Sequence, residues 1–139
     1  MNTKMNSATD EVGKPTTKPP KPEEKPFEVF INDYFIPQLR KTLTDNGHPP
    51  DQLALVNGDR PVTGGKCWMV EGQISQGRRF WLCFSSNKIS STKLIAIAEK
   101  GSDPTVLESF LIDERRTTLA LLISRVIQRL NGQKWLGAN

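Results

Sequence analysis

Few residues in this chain can do chemistry, and their spacing limits what that chemistry could be. His48 is the only histidine and sits in Asn46-Gly47-His48-Pro49-Pro50, a turn-making run. There a solvated imidazole is the expectation, not a general base. Cys67 and Cys83 are expected on one sheet face in offset cross-strand positions, so joining them would require the backbone to move. Two thiols and one distant imidazole fall short of a four-ligand zinc site and of the cysteines an iron–sulfur cluster takes. Both cysteines therefore read as half-buried apolar residues. Asp113 and Glu114 adjoin Arg115 and Arg116, where a helix cap and surface ion pairs account for them. Residues 57–66, NGDRPVTGGK, lack the glycine spacing, the lysine-hydroxyl ending and the following helix of a phosphate loop. The expectation is a chain with no catalytic residue, no metal site and no cofactor of its own.

The elements that would position these side chains begin with a hairpin. If Ser75-Gln76-Gly77 is its turn, with Gly77 left-handed, Ile74 faces Arg78, Gly72 faces Phe80, Val70 faces Leu82 and Trp68 faces Phe84. That is the core face. The other face then carries Gln73 beside Arg79, Glu71 beside Trp81, Met69 beside Cys83 and Cys67 beside Ser85. Residues 52–56 read as an earlier strand, with Asn57-Gly58 and Gly64-Gly65 bracketing a loop. Residues 93–99, KLIAIAE, read as a fourth strand, and Asp103-Pro104 reads as opening a short helix through Phe110.

Helices are expected on either side of these strands. From Pro26 onward, Phe27, Phe30, Ile31, Tyr34, Leu39 and Leu43 form an apolar stripe. Pro37 removes one backbone donor and crowds the preceding turn, which predicts a kink or break near Tyr34 to Ile36. Asp45-Asn46-Gly47 and Pro49-Pro50 then stop that helix. In the last third, Leu119, Leu122, Ile123, Val126, Ile127 and Leu130 recur on one face, with Arg125 and Arg129 mostly off it. Asp113 is the expected cap and Asn131-Gly132 the expected stop, after which Trp135 and Leu136 supply apolar area that could fold back. Strands flanked by helices without regular alternation argue for an α+β domain. An antiparallel sheet of about four strands would pack against an N-terminal and a long C-terminal helix.

Composition divides the chain in two. Residues 1–26 read as a disordered tail rich in Pro, Lys and Glu, and residues 27–139 as a single α+β domain. The tail's five lysines and four carboxylates nearly cancel, so most of the net charge of +4 belongs to the folded part. No apolar run of about 18 residues occurs, so no direct insertion into a membrane is expected. Two cysteines suit a reducing compartment, and Asp10, Glu11, Glu23 and Glu24 argue against an acid-poor transit peptide. A bacterial cytoplasm is the expected setting.

Three segments carry a resemblance: PEEKPFEVFINDYFIPQLRKTL from Pro22, KCWMVEGQ..GRRFWLCFS from Lys66, and TVLESFLIDERRTTLALLISRVIQRLNGQKWL from Thr105. LESFLIDER and QRLNGQKWL are the specific parts. Together the segments resemble a small cyanobacterial and plastid family associated with the V subunit of the photosynthetic NAD(P)H dehydrogenase-like complex, a relative of respiratory complex I. The resemblance implies a non-catalytic accessory subunit on the hydrophilic arm of that complex, supporting its stability and ferredoxin-dependent cyclic electron transport. It implies a peripheral location on the cytoplasmic side of the thylakoid membrane.

Met69, Glu71 and Trp81 are the expected heart of a partner-binding face, since interfaces favour an aromatic anchor on an apolar patch. Arg78, Arg79, Arg115 and Arg116 are the candidates to attract ferredoxin, an acidic carrier on this reading. The alternative is a small basic nucleic-acid-binding domain, suggested by Arg78-Arg79-Phe80-Trp81. Register weighs against it, because Phe80 points inward and leaves one stacking ring where RNA-binding sheets offer two or three.

Overall fold

The computed structural model describes residues 21–111, 116–133, 135 and 136. Five strands form an antiparallel meander in which chain order is also sheet order. They are β1 (Gln52–Asp59), β2 (Lys66–Ile74), β3 (Arg78–Phe84), β4 (Lys93–Ala98) and β5 (Glu108–Phe110). Helix α1 covers residues 27–45 and α2 covers Leu119–Gly132, and their apolar residues share one core with a single sheet face. The α+β class is as expected from the sequence, with five strands in place of about four.

The fifth strand corrects the short helix expected before Phe110. Lys93 pairs with Phe110, Leu94 with Ser109 and Ile95 with Glu108. A single helical turn could not satisfy the free backbone edge of β4, whereas three extended residues do. Asn57 and Gly58 likewise continue β1 opposite Trp68 and Cys67 instead of opening a loop, because the ladder to β2 runs unbroken to Asp59.

The β2–β3 hairpin has the expected register, from Trp68 opposite Phe84 to Ile74 opposite Arg78. Gln76 and Gly77 both lie in the left-handed region, at φ of 66° and 73°. Alternation then buries Val70, Ile74, Phe80, Leu82 and Phe84 on the helix side. Gly72 is needed there because Phe80 lies across it. A Cβ at position 72 would stand 2.4 Å from the ring.

Pro37 leaves its mark on α1 as a wide turn, not a break. The helix is α-helical over Phe27–Val29, π-helical over Phe30–Phe35 and α-helical again over Ile36–Asp45. The Ile36 N–H donates five residues back, to the Ile31 carbonyl, which relieves the crowding at the proline ring. The extra residue in this turn rotates the apolar stripe. Phe35, fully buried, takes the place expected for Tyr34, which is half-buried. At the far end Gly47 at φ 86° sets two closing bonds, its own N–H to Thr44 O (2.9 Å) and His48 N–H to Leu43 O (2.9 Å).

Helix α2 starts later than expected and ends differently. Its cap is Thr118, whose Oγ1 accepts from the Leu121 N–H at 3.1 Å; Asp113, the expected cap, lies outside the described residues. Glu23, within a 3₁₀ turn at Pro22–Glu24, accepts the Leu119 N–H at 2.7 Å. A carboxylate at this helix start also meets the positive end of the dipole. Structure therefore precedes Pro26, and the rest of the expected tail, residues 1–20, lies outside the description. Gly132 stays helical, and the helix closes through Trp135 N–H to Leu130 O at 3.2 Å. Trp135 and Leu136 do fold back, 1% and 7% exposed. Each fully buried side chain of this apolar kind contributes about 1.5–3 kcal/mol.

Candidate interaction surface

The outer sheet face carries no helix among the described residues, yet it has a small apolar cluster of its own. Cys67, Met69 and Cys83 are buried there beneath half-buried Val56, Trp81, Leu94 and Leu107. Met69 is thus 2% exposed, a member of this second core and not of an open patch. Trp81 remains half-buried, opposite Glu71 on β2 and Ala96 on β4. Arg79 closes over it, with its guanidinium 5.0 Å from the ring centre and one N–H donated to Ser102 O at 2.6 Å. This geometry holds the ring by a cation–π contact and fixes the arginine by a backbone bond.

Four of the seven candidate residues therefore meet on one face: Met69, Glu71, Arg79 and Trp81. Arg78 does not join them. It points to the helix side, where it lies 5.4 Å over the Trp135 ring and pairs with Glu99 at 3.2 Å. Arg116 is exposed near the start of α2, beside Lys21, Glu23 and Glu24, and Arg115 lies outside the described residues. The expected basic cluster is therefore divided between places, and two of its members are already engaged.

The cysteines hold the diagonal relation expected, since Met69 faces Cys83 while Cys67 faces Gly58 across the other ladder. Both are free thiols. Burial above all, then the neighbouring Cys67, pushes the Cys83 thiol up to about 12 and keeps it protonated at neutral pH. His48 is not simply solvated. It is half-buried, and its Nδ1 lies 2.8 Å from Ser75 Oγ, tying the end of α1 to the hairpin turn.

Two features went unread in the sequence. Lys93 is 3% exposed on the helix side, donating to Ser91 O (2.9 Å) and Thr117 Oγ1 (3.3 Å), and its burial lowers its pKa. The signal was present, because period-two alternation places Lys93 in line with Ile95 and Ile97. The second is a groove of 460 Å³ between α1 and α2, lined by Gln38, Thr42, Leu119, Ile123, Ser124 and Ile127 among others. It needs both helices in place, so no single periodicity could reveal it. Among the described residues no group of three or more His, Cys, Asp or Glu is placed to hold a metal ion. None of the described helices is long and apolar enough to cross a membrane.

Fold and surface together define a two-layer α+β domain with a half-exposed aromatic face opposite its helices. The chain belongs to the family described as protein of unknown function (DUF2996), which matches residues 21–137. No curated protein matches it.

Proposed function

We propose that this protein is a non-catalytic accessory subunit of the photosynthetic NAD(P)H dehydrogenase-like complex, bound to its hydrophilic arm on the cytoplasmic side of the thylakoid membrane. There it supports the stability of the complex and ferredoxin-dependent cyclic electron transport. The sequence resemblance supplies the partner, and one structural observation supports the mode: Trp81 stands half-exposed and clamped by Arg79 on a sheet face that no helix covers among the described residues. A rigid aromatic with a polar rim is the kind of anchor protein interfaces use. The nucleic-acid reading is less well supported, since Phe80 is fully buried and Arg78 and Arg79 are both engaged.

The experiment is recovery of the tagged full-length chain from solubilised photosynthetic membranes, with mass spectrometry of what accompanies it. Dehydrogenase-like subunits are the expected companions. RNA or ribosomal proteins that survive nuclease and salt washes would replace this reading with the nucleic-acid one.

A further inference from the structure

The two edges of the sheet are finished differently. β5 is three residues long and carries Glu108, whose carboxylate is held by Arg129 of α2. β1 is eight residues long and in unbroken register with β2. Between Gln52 and Asp59 it contains no lysine, arginine or proline, residues that usually help blunt a strand edge, and its one irregularity is at the start, where the Asp51 N–H donates to Gln73 O at 2.7 Å, opposite Gln52.

The phase of its ladder can be read. Arg60 N–H donates to Gly65 O at 2.8 Å, which makes Gly58, Val56 and Ala54 the residues whose backbone groups aim at β2. Leu53, Leu55 and Asn57 therefore aim their N–H and C=O groups away from the sheet. Among the described residues no hydrogen bond meets any of them. Just past the edge Val62, at φ 74°, is 47% exposed.

We infer that β1 is a strand-addition site, completed by an extended, proline-free segment of another protein with apolar residues at alternate positions and basic residues at its ends. The unpaired groups dictate the extended backbone, because only a strand presents donors and acceptors at their spacing. The flanks dictate the charge. Exposed Asp51 and Asp59 bracket the edge. A second copy fits poorly, since symmetric antiparallel pairing centred on Leu55 would set Asp51 against Asp59 of the other copy at both ends.

This inference rests on the chain being a docking protein, but not on the identity of the complex. The probe is a synthetic peptide of alternating valine and threonine with lysines at both ends, added to the full chain while amide exchange is followed residue by residue. Expected is new protection at Leu53, Leu55 and Asn57, with Ala54 and Val56 protected throughout. Replacing the terminal lysines by glutamates should weaken the effect, and N-methylating the peptide's alternate amides should abolish it. Asn57→Pro should abolish binding while leaving Ala54 and Val56 protected, because the lost N–H lies outside the ladder to β2. Absence of protection by the lysine-flanked peptide overturns the proposal. So does concentration-dependent dimerisation that protects the same three amides without any peptide. Recovery of the chain with dehydrogenase-like subunits tests the proposed function separately, so either reading can fail alone.

Discussion

Arg129 of α2 holds Glu108 of β5 through two hydrogen bonds, Nε to Oε1 at 2.7 Å and Nη2 to Oε2 at 2.6 Å. This forked pair fastens the last helix to the shortest strand, and the planar guanidinium suits it better than lysine would. The arginine's hydrogen bonds hold the Glu108 carboxyl below its ordinary value of 4.5. A carboxyl depressed in the folded state stabilises the fold fully above 4.5, and that contribution is lost as pH falls through the folded value. Both side chains are partly exposed, so the pair contributes about 1 kcal/mol or less. Glu108→Gln is expected to lower stability by that amount at neutral pH and to flatten the acid limb of the stability curve. Urea unfolding of both chains across the acid range measures this, and identical pH profiles would show that the pair contributes nothing.

Gly72→Ala tests the contact between strand and ring. The new methyl would lie 2.4 Å from Phe80, inside a fully buried face, so the ring must move. Overpacking of this kind costs about 1–3 kcal/mol. A thermal midpoint equal to that of the natural chain would mean that the ring relaxes freely.

Trp135 anchors the chain end through burial and through its Nε1–H, which donates to Glu99 Oε2 at 2.7 Å. Trp135→Phe should lose mainly the hydrogen bond and part of the Arg78 stacking, whereas Trp135→Ala should cost about 3–5 kcal/mol. The ordering of the three unfolding midpoints, natural, Phe, then Ala, is the observable.

Cys83 should resist thiol reagents in the folded protein. With its pKa at about 12, almost none of it is thiolate near neutrality, and only 3% of the residue is exposed. Labelling of Cys83 is expected to follow unfolding by denaturant. Rapid stoichiometric labelling of the native chain would show that the outer cluster opens readily.

Trp81→Ala separates anchor from core. The proposed docking role predicts a loss of more than about 2 kcal/mol in assembly with the complex. A smaller loss is expected in the isolated domain, because Trp81 is half-buried and Arg79 retains its Ser102 bond. Assembly assayed beside thermal unfolding of the free chain decides it. A sharp fall in the free chain with no added loss in assembly would make Trp81 a packing residue only.

The sequence alone determined the features set by local period and turn chemistry. Alternation about Ser75-Gln76-Gly77 specified which hairpin residues face each other, because a one-residue slip would exchange the two faces of the sheet. The apolar stripe of α2 was equally legible, with Leu122, Ile123, Val126 and Leu130 buried as the 3.6-residue period requires. Tertiary structure decided the rest. Pro37 announced a disturbance, but the choice of a π turn, and with it the exchange of Tyr34 for Phe35 in the core, depended on what the helix packs against. Residues 108–110 became a strand because β4 offered an unpaired edge, a condition that no local window contains. The cover over Met69 and the cysteines comes from β1, β3, β4 and the segment before β5, brought together only when the meander closes. Local sequence sets dihedral preferences and faces, whereas burial, edges and grooves are properties of surfaces that exist only once distant segments have met.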